Sequence, residues 1–244
     1  MLLRRVILHV RNQEWTAIWI DLLIVIIGVF LGIQLGNWNA AREAVSLERS
    51  YLDRIGAEVQ ANATLFDEYR HVESNGRGAT ERFASVLNNP SSTDAEIVAA
   101  TQEFFRVGWT FPMFEPVVTT FEDIEATGNL QLISDKDLRE DIVSLYAKFD
   151  QYQEVLSGNM DWLIPIDARI TFEFDALRWD NRTAHLFPDK TRAQAAGEIR
   201  SNLDALRRVA ATHYWMQDRM IGQYEEAIAI SNAVAEQIAA ELGQ

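Results

Sequence analysis

The chain has 244 residues, of which 48% are hydrophobic, and its formal net charge is −14. This length fits one domain of about 200 residues beside a short anchor, and the apolar content excludes a disordered chain. The absence of cysteine excludes disulfides, thiolate chemistry and cysteine-ligated metals.

The negative charge lies almost entirely beyond residue 38. Residues 1–38 hold three arginines against Glu14 and Asp21, which sums to +1, so the remainder carries −14 − 1 = −15. Binding to phosphate needs clustered Lys and Arg, and anionic lipid headgroups repel an acidic body. We therefore expect no nucleic-acid partner.

Residues 1–14 form a short basic tail, and residues 15–38 predict a transmembrane helix. The nineteen residues from Ala17 to Leu35 contain only two polar side chains and would span about 28 Å as a helix, close to the hydrocarbon thickness of a bilayer. Tryptophans lie at both ends, where aromatic rings favour the membrane interface: Trp15, Trp19 and Trp38. The lipid bilayer is therefore the first expected partner.

The apolar stretch is too long for a cleaved signal peptide, and Asn39-Ala40-Ala41 lacks a small residue at the −3 position. An uncleaved signal anchor is the better interpretation. Arginines flank both sides of the span, but a short tail bearing three of them resists translocation. This favours an inner (plasma) membrane protein with a cytoplasmic N-terminus and an extracytoplasmic main domain.

Gly28, Gly32 and Gly36 repeat every four residues within the span, and Asp21 lies on about the same face. Such a ridge of small residues lets another helix approach closely. Two interpretations stay open: a helix–helix contact, with a second copy or a membrane protein partner, or glycines that are simply common in membrane helices beside an Asp21 that snorkels to the interface.

Residues 39–244 predict an acidic, soluble helical domain. Apolar residues recur every three to four positions from Leu47 to Tyr69, so a helix continues directly from the membrane segment. The cluster Ser74-Asn75-Gly76 with Gly78 predicts its end, and a short helix over 79–88 stops before Pro90.

Capping signals predict the next helices. Thr93 and Glu96 form a capping box that opens a helix through about Phe105, and residues 108–116 are an aromatic break. Pro116 suits the first turn of a helix that ends before Gly128. Ser134 is the expected cap of a longer helix over 134–158.

Part of the stretch 162–179 alternates apolar and polar residues with period two, as a strand does. A lone strand has no obvious partner here, so we predict irregular structure or a short helix. Thr191 and Gln194 form a second capping box that opens one long final helix to Leu242. The predicted fold is all-α: one N-terminal transmembrane helix followed by an antiparallel helical bundle, with coiled-coil-like packing of its long helices.

The string IGVFLGIQLGNWN, residues 27–39, together with Arg42 resembles the N-terminal signature of an uncharacterised family of bacterial single-pass membrane proteins. A second matching stretch runs from Thr120 through Gly128 to Ile133, followed by four single positions: Asp135, Leu138, Arg139 and Tyr146. The resemblance implies a bacterial membrane protein and brings no catalytic assignment.

The titratable residues form no recognisable catalytic or metal-binding set. Glu68 and His71 make a Glu-x-x-His pair, but helical di-metal sites need this motif twice. His213 falls on the apolar stripe of the last helix, where a core histidine with satisfied hydrogen bonds is expected. Motifs for serine hydrolases, zincins, P-loops and dinucleotide binding are absent. We therefore expect no enzyme, metal or cofactor.

Aromatic residues concentrate between Phe104 and Phe114. They either pack the end of the bundle or form an exposed apolar cleft for a ligand or partner. Trp109, Phe111 and Phe114 are the candidate patch for the second interpretation.

The leading hypothesis is a membrane-anchored helical interaction or scaffold protein that forms a homo-oligomer or binds a membrane protein partner. The alternative is an extracytoplasmic, sensor-like bundle that binds a ligand and works through a partner protein. A closed pocket lined by Trp109, Phe111 or Trp162 would favour the alternative.

Overall fold

The computed structural model describes residues 15–173, 177–179, 184–186 and 190–243, and the fold over these residues is all-α, as predicted. A π-helical turn (Phe104–Gly108), a 3₁₀ turn (Asn129–Leu132) and two short strands, β1 (Leu177–Trp179) and β2 (Ala184–Leu186), interrupt the helices. The described helices are α1 (Trp15–Asn88), α2 (Asp94–Glu103), α3 (Thr119–Ala126), α4 (Lys136–Glu173), α5 (Arg192–Ser201) and α6 (Leu203–Leu242).

The chain divides into two compact units, residues 1–51 and residues 52–244. The described residues of the first unit all belong to α1. An 18-residue window near the N-terminus has a mean hydropathy of 2.5 and is not buried at all. By length and composition this helix could cross a membrane.

In the second unit α1 continues unbroken to Asn88, so the predicted end near Ser74 and the separate helix over 79–88 are wrong. The reason lies at Gly76. A Cβ there would come within 2.9 Å of the Gln217 amide nitrogen and 3.2 Å of the Val107 carbonyl oxygen. This glycine permits close packing inside a helix and does not end it.

Helices α1, α4 and α6 form the bundle of the second unit. At one end, Tyr146 of α4 is hydrogen-bonded to Glu58 of α1, and Ile238 of α6 packs near Gly56. Farther along the bundle, Arg77 of α1 is bonded to Asp218 of α6, and Asp167 of α4 is bonded to His213 of α6. Helices α1 and α4 therefore run in the same direction, and α6 runs antiparallel to both.

A cluster of stacked aromatic rings lies within the bundle core. The ring of Phe66 stacks on that of Phe114 at 4.6 Å and meets Phe149 edge-on at 5.2 Å, and Phe114 also stacks on Tyr224 at 5.9 Å. A second cluster joins α2 and α5 to the ends of the bundle helices. It includes Phe83, Ile97, Phe104, Ile170, Ile199, Leu206 and Val209.

Most helix caps follow the predictions, but α3 begins at Thr119 with Val118 as its N-cap, so Pro116 precedes the helix and does not lie in its first turn. At both predicted capping boxes the threonine and the N3 residue exchange hydrogen bonds. Gly128 takes a positive φ of 72° after α3, as a C′ glycine should. The cap of α4 is Asp135 in place of Ser134, because the Asp135 carboxylate accepts the backbone N–H groups of residues 137 and 138.

Three longer-range predictions are wrong. Helix α4 continues past residue 158 to Glu173 and passes through Pro165, and residues 170–173 are helical although their pattern alternates. A strand does follow at β1, and its partner is β2, paired antiparallel with Leu177 opposite Leu186. The long final helix is split at Asn202 into α5 and α6.

Candidate functional site

The irregular residues 109–118, here the connecting segment, lie against all three bundle helices. Phe114 contacts Phe66 of α1, Phe149 of α4 and Tyr224 of α6. The Tyr224 hydroxyl donates to the Pro112 carbonyl oxygen at 3.2 Å. The segment thus occupies the position that a fourth helix has in a four-helix bundle.

One end of the connecting segment is fixed by Asn62 of α1. Its amide nitrogen donates to the Val117 carbonyl oxygen, and its amide oxygen accepts the Val117 N–H, both at 2.7 Å. This pair of bonds imitates the ladder of a β-sheet and satisfies backbone groups that an irregular segment would otherwise leave unpaired.

Glu58 of α1 caps helix α3 from a distance. Helix α3 has no side-chain cap of its own, and the Glu58 carboxylate accepts the N–H groups of Thr120 at 2.6 Å and Phe121 at 3.3 Å. A carboxylate here satisfies orphan donors and faces the positive end of the helix dipole. The Tyr146 hydroxyl also donates to it at 2.6 Å, and burial together with this bond raises the pKa of that hydroxyl.

The other end of the connecting segment meets a buried polar group on α6. His213 is fully buried, as expected for a core histidine. Its Nδ1 lies 3.2 Å from the Gly108 carbonyl oxygen, and its Nε2 lies 2.9 Å from Oδ1 of Asp167 on α4. The buried His213 ring therefore links α6 to the end of the π-turn and to α4, where the Asp167 side chain is 17% exposed.

Gln217 and Thr80 complete this arrangement. The Gln217 amide donates to the same Gly108 carbonyl oxygen at 2.9 Å. The Thr80 hydroxyl lies 2.9 Å from the Gln217 amide oxygen and 3.0 Å from the Gly76 carbonyl oxygen, either of which can accept its proton. We call His213, Asp167, Gln217 and Thr80 the Gly108 network, because His213 and Gln217 bond to the Gly108 carbonyl oxygen and Asp167 and Thr80 bond to these two side chains.

Glycine at 108 is a steric requirement. A Cβ there would lie 2.8 Å from the Thr80 hydroxyl oxygen, 2.9 Å from the Phe104 ring and 3.2 Å from the Gly76 carbonyl oxygen. The π-turn therefore packs directly on the backbone of α1. A π-turn adds a residue to a helix and often marks a functional position.

Glu73 is the least satisfied group in the described part of the bundle. It is 1% exposed on α1, and neither carboxylate oxygen has a hydrogen-bond partner there. Burial raises the pKa of Glu73 to about 8. Its charge would also act on the Tyr224 hydroxyl, whose pKa is raised mainly by burial. Glu73 is therefore protonated in the folded protein near neutral pH.

A polar cavity of about 500 Å³ lies beside the π-turn. Arg82 and Glu103 face each other in it, with two hydrogen bonds of 3.3 and 2.7 Å from the guanidinium to the carboxylate. Arg106 of the π-turn also lines the cavity, and the remaining lining residues are Ser74, Asn75, Gly78 and Val107.

The candidate aromatic patch divides in two. Trp109 and Phe111 are half-buried and stack on the His213 ring at 4.8 and 5.0 Å. Phe114 is only 3% exposed, so it belongs to the bundle core and not to an exposed cleft. Trp162 is 40% exposed, and its ring centroid lies 5.9 Å from that of Trp215.

The predicted residues of the apolar segment are all exposed in the isolated chain. Trp15, Trp19 and Trp38 are exposed, as is Asp21, and the Arg42 guanidinium lies 4.9 Å from the Trp38 ring centroid. A Cβ placed at each of the three ridge glycines would meet nothing within 4 Å: Gly28, Gly32 and Gly36. His71 lies on the surface of α1 beside Asp67.

The sequence interpretation missed the Gly108 network and Glu73. A signal for Glu73 exists, because residue 73 continues the stripe of Phe66 and Tyr69 at helical spacing. Asp167 gave no such signal, since it lies 46 residues from His213. No family model, curated protein or solved structure matches the chain.

Proposed function

We propose that this protein is a membrane-tethered helical module that associates with another helix inside the bilayer. Residues 15–38 cross the membrane as a signal anchor, with the N-terminus cytoplasmic and residues 39–244 outside the cytoplasm. The proposal extends the resemblance to bacterial single-pass membrane proteins noted above, and it assigns the protein a role in interaction and not in catalysis.

The observation that carries the proposal is the exposure of the apolar segment. Large apolar side chains are exposed along α1 from Ile18 to Leu35, whereas Val59 and Phe66 on the same helix are buried. Burial of such a side chain away from water is favourable by about 1.5–3 kcal/mol. For the whole segment, the favourable free energy of transfer out of water is therefore on the order of 20 kcal/mol. A bilayer supplies that cover, and the flanking tryptophans suit its interfaces.

The glycine ridge supports association within the bilayer. Gly28, Gly32 and Gly36 are open on their Cβ side, so a larger residue there would not disturb the isolated helix. It would keep a second helix from approaching closely. Substitution on this face therefore tests association separately from folding.

The test is crosslinking in native membranes of a Gly28→Leu/Gly32→Leu double variant. Phe30→Leu is the matched control, because Phe30 lies on the opposite face of the helix at 100° per residue. We expect the original chain and the control to yield crosslinked species and the double variant to lose them. Recovery of monomer alone from the original chain, or equal crosslinking of all three, contradicts the proposal.

The chain has no cysteine, so a single Asn39→Cys substitution identifies the neighbour. A disulfide-linked dimer of the variant indicates a second copy of the chain, and a mixed product indicates a membrane protein partner. Either product requires a neighbour close to the outer end of the span.

A second candidate function is a sensor-like bundle that binds a ligand and acts through a partner. The polar cavity beside the π-turn favours it, and its lining differs from the Trp109, Phe111 and Trp162 lining that the sequence suggested. Ligand-dependent change in the crosslinking pattern of the full chain would support this candidate, and an unchanged pattern on saturation would count against it.

A further inference from the structure

We infer that the cavity beside the π-turn is a binding site for a small-molecule oxyanion, a carboxylate or a phosphate, with Arg106 as its principal contact and Arg82 as its second. The site lies wholly within residues 74–107. It therefore goes beyond the proposed tether and does not depend on membrane insertion.

The charges that line the cavity favour an anion. Arg82 and Arg106 contribute two positive charges and Glu103 one negative charge, so the lining carries +1 in a chain of net charge −14. Glu81 also acts on Arg82, but it does not line the cavity. A positive lining in so acidic a protein draws small anions to this position.

Arg106 is the available cation. Among the described residues its guanidinium makes no hydrogen bond or ion pair within 4 Å, although its charge acts on the nearby Glu103 carboxylate. Arg82, by contrast, donates its Nε and Nη2 hydrogen bonds to Glu103. The Arg82 Nη1 group remains, 3.5 Å from the position that a Cβ on Gly78 would occupy. Guanidinium groups bind carboxylates and phosphates through paired N–H donors, which makes an oxyanion the matching ligand.

The Gly108 network gives the site a fixed frame. Three described contacts bear on the end of the π-turn: the His213 ring and the Gln217 amide on the Gly108 carbonyl oxygen, and the α1 backbone against Gly108 itself. Arg106 and Val107 precede Gly108 in the same turn. A side chain that binds a ligand needs a backbone held in place by such supporting contacts.

The size of the cavity sets the ligand class. Its volume of about 500 Å³ lies within the range of small-molecule sites, and the lining adds the hydroxyl of Ser74 and the amide of Asn75 to the two guanidinium groups. Small di- and tricarboxylates and phosphate esters fit these dimensions and this polarity.

The experiment is calorimetric titration of the full chain in detergent micelles with inorganic phosphate and, separately, with citrate, at constant ionic strength set by chloride. Three proteins are compared: the original chain, Arg106→Gln, and Arg208→Gln as the control. Arg208 is an exposed arginine on α6 that does not line the cavity. Thermal unfolding of each protein verifies that the exposed substitutions leave the fold intact.

We expect saturable binding of at least one of the two probes, weakened about tenfold or more by Arg106→Gln and unchanged by Arg208→Gln, since a charged hydrogen bond is worth about that factor. Preference between the probes distinguishes a phosphate from a carboxylate ligand. Absence of saturable binding for both probes in the millimolar range overturns the inference. An equal loss in the two variants, or no loss in Arg106→Gln, overturns it as well.

Discussion

Replacing Glu73 should change how the stability of the bundle depends on pH. Its carboxyl is 1% exposed and has no hydrogen-bond partner among the described residues, and burial raises its pKa from 4.5 to about 8. The folded state therefore holds the proton more tightly than the unfolded state does.

The sign and size follow from linkage. The contribution of a carboxyl with a raised pKa is fully present below pH 4.5 and is lost as the pH rises toward 8. Each pH unit in that window removes about 1.4 kcal/mol, so the whole shift is worth about 5 kcal/mol. Between pH 5 and pH 7.5 the expected loss is about 3 kcal/mol.

The assay is urea unfolding of the full chain in detergent micelles at a series of pH values, followed by tryptophan fluorescence. Glu73→Gln removes the titration while keeping the shape of the side chain. The free energy of unfolding of the variant, minus that of the original chain, should rise by about 1.4 kcal/mol per pH unit across this window. Glu73→Met, which also removes the unpaired polar group, should exceed the original chain at pH 7 by about 1–3 kcal/mol.

Glu68→Gln is the matched control, because Glu68 is exposed on the same helix. Its difference curve is the baseline against which the slope of the Glu73→Gln curve is compared. A flat difference curve for Glu73→Gln would refute the reasoning, because it would mean that Glu73 has the same pKa in the folded and the unfolded state.

Three further substitutions test the packing around the connecting segment. Gly108→Ala should destabilise the bundle by about 1–3 kcal/mol in the same urea assay, because the added Cβ meets Thr80 and the Phe104 ring. Gly197→Ala, the control, should be neutral or slightly stabilising, because nothing lies within 4 Å of its Cβ position. Equal effects of the two substitutions would contradict the steric account. Glu58→Gln should cost about 1–3 kcal/mol and speed amide hydrogen exchange at the start of α3, and unchanged exchange there would show that Glu58 is not its cap. Thr93→Ala should cost about 1 kcal/mol through loss of the capping box of α2, and an unchanged urea midpoint would contradict this.

The sequence predicted correctly those features that depend only on residues close together in the chain. Both capping boxes, the glycine after α3 and the helical periodicity depend on residues within one or two turns, so the sequence alone identifies them. The long apolar segment is equally local, since its composition is sufficient to define it.

The errors arise where one residue type serves two purposes. Gly76 read as a helix end because glycine terminates helices, but its role depends on Gln217 and Val107, which are distant in sequence. The stretch 162–179 was predicted to be irregular or a short helix, yet α4 continues past residue 158 to Glu173 and buries Ile170 in the second cluster. Tertiary packing overrides local preference at these positions.

The candidate site was only partly predictable. The apolar stripe of α6 placed His213 in the core, and composition marked the aromatic residues around it. Their grouping depends on the π-turn and on Asp167, and neither has a local sequence signature. The separation of Phe114 from Trp109 and Phe111 likewise depends on the path of the connecting segment between three helices.

The measurement that bears most directly on the tether is alkaline extraction of membranes from cells that produce the full chain. If residues 15–38 cross the bilayer, the polypeptide stays in the membrane pellet at its unprocessed mass of 27.8 kDa and enters solution only with detergent. Recovery of the same unprocessed polypeptide from the supernatant without detergent would contradict membrane insertion, and the proposed association of the glycine ridge would fail with it.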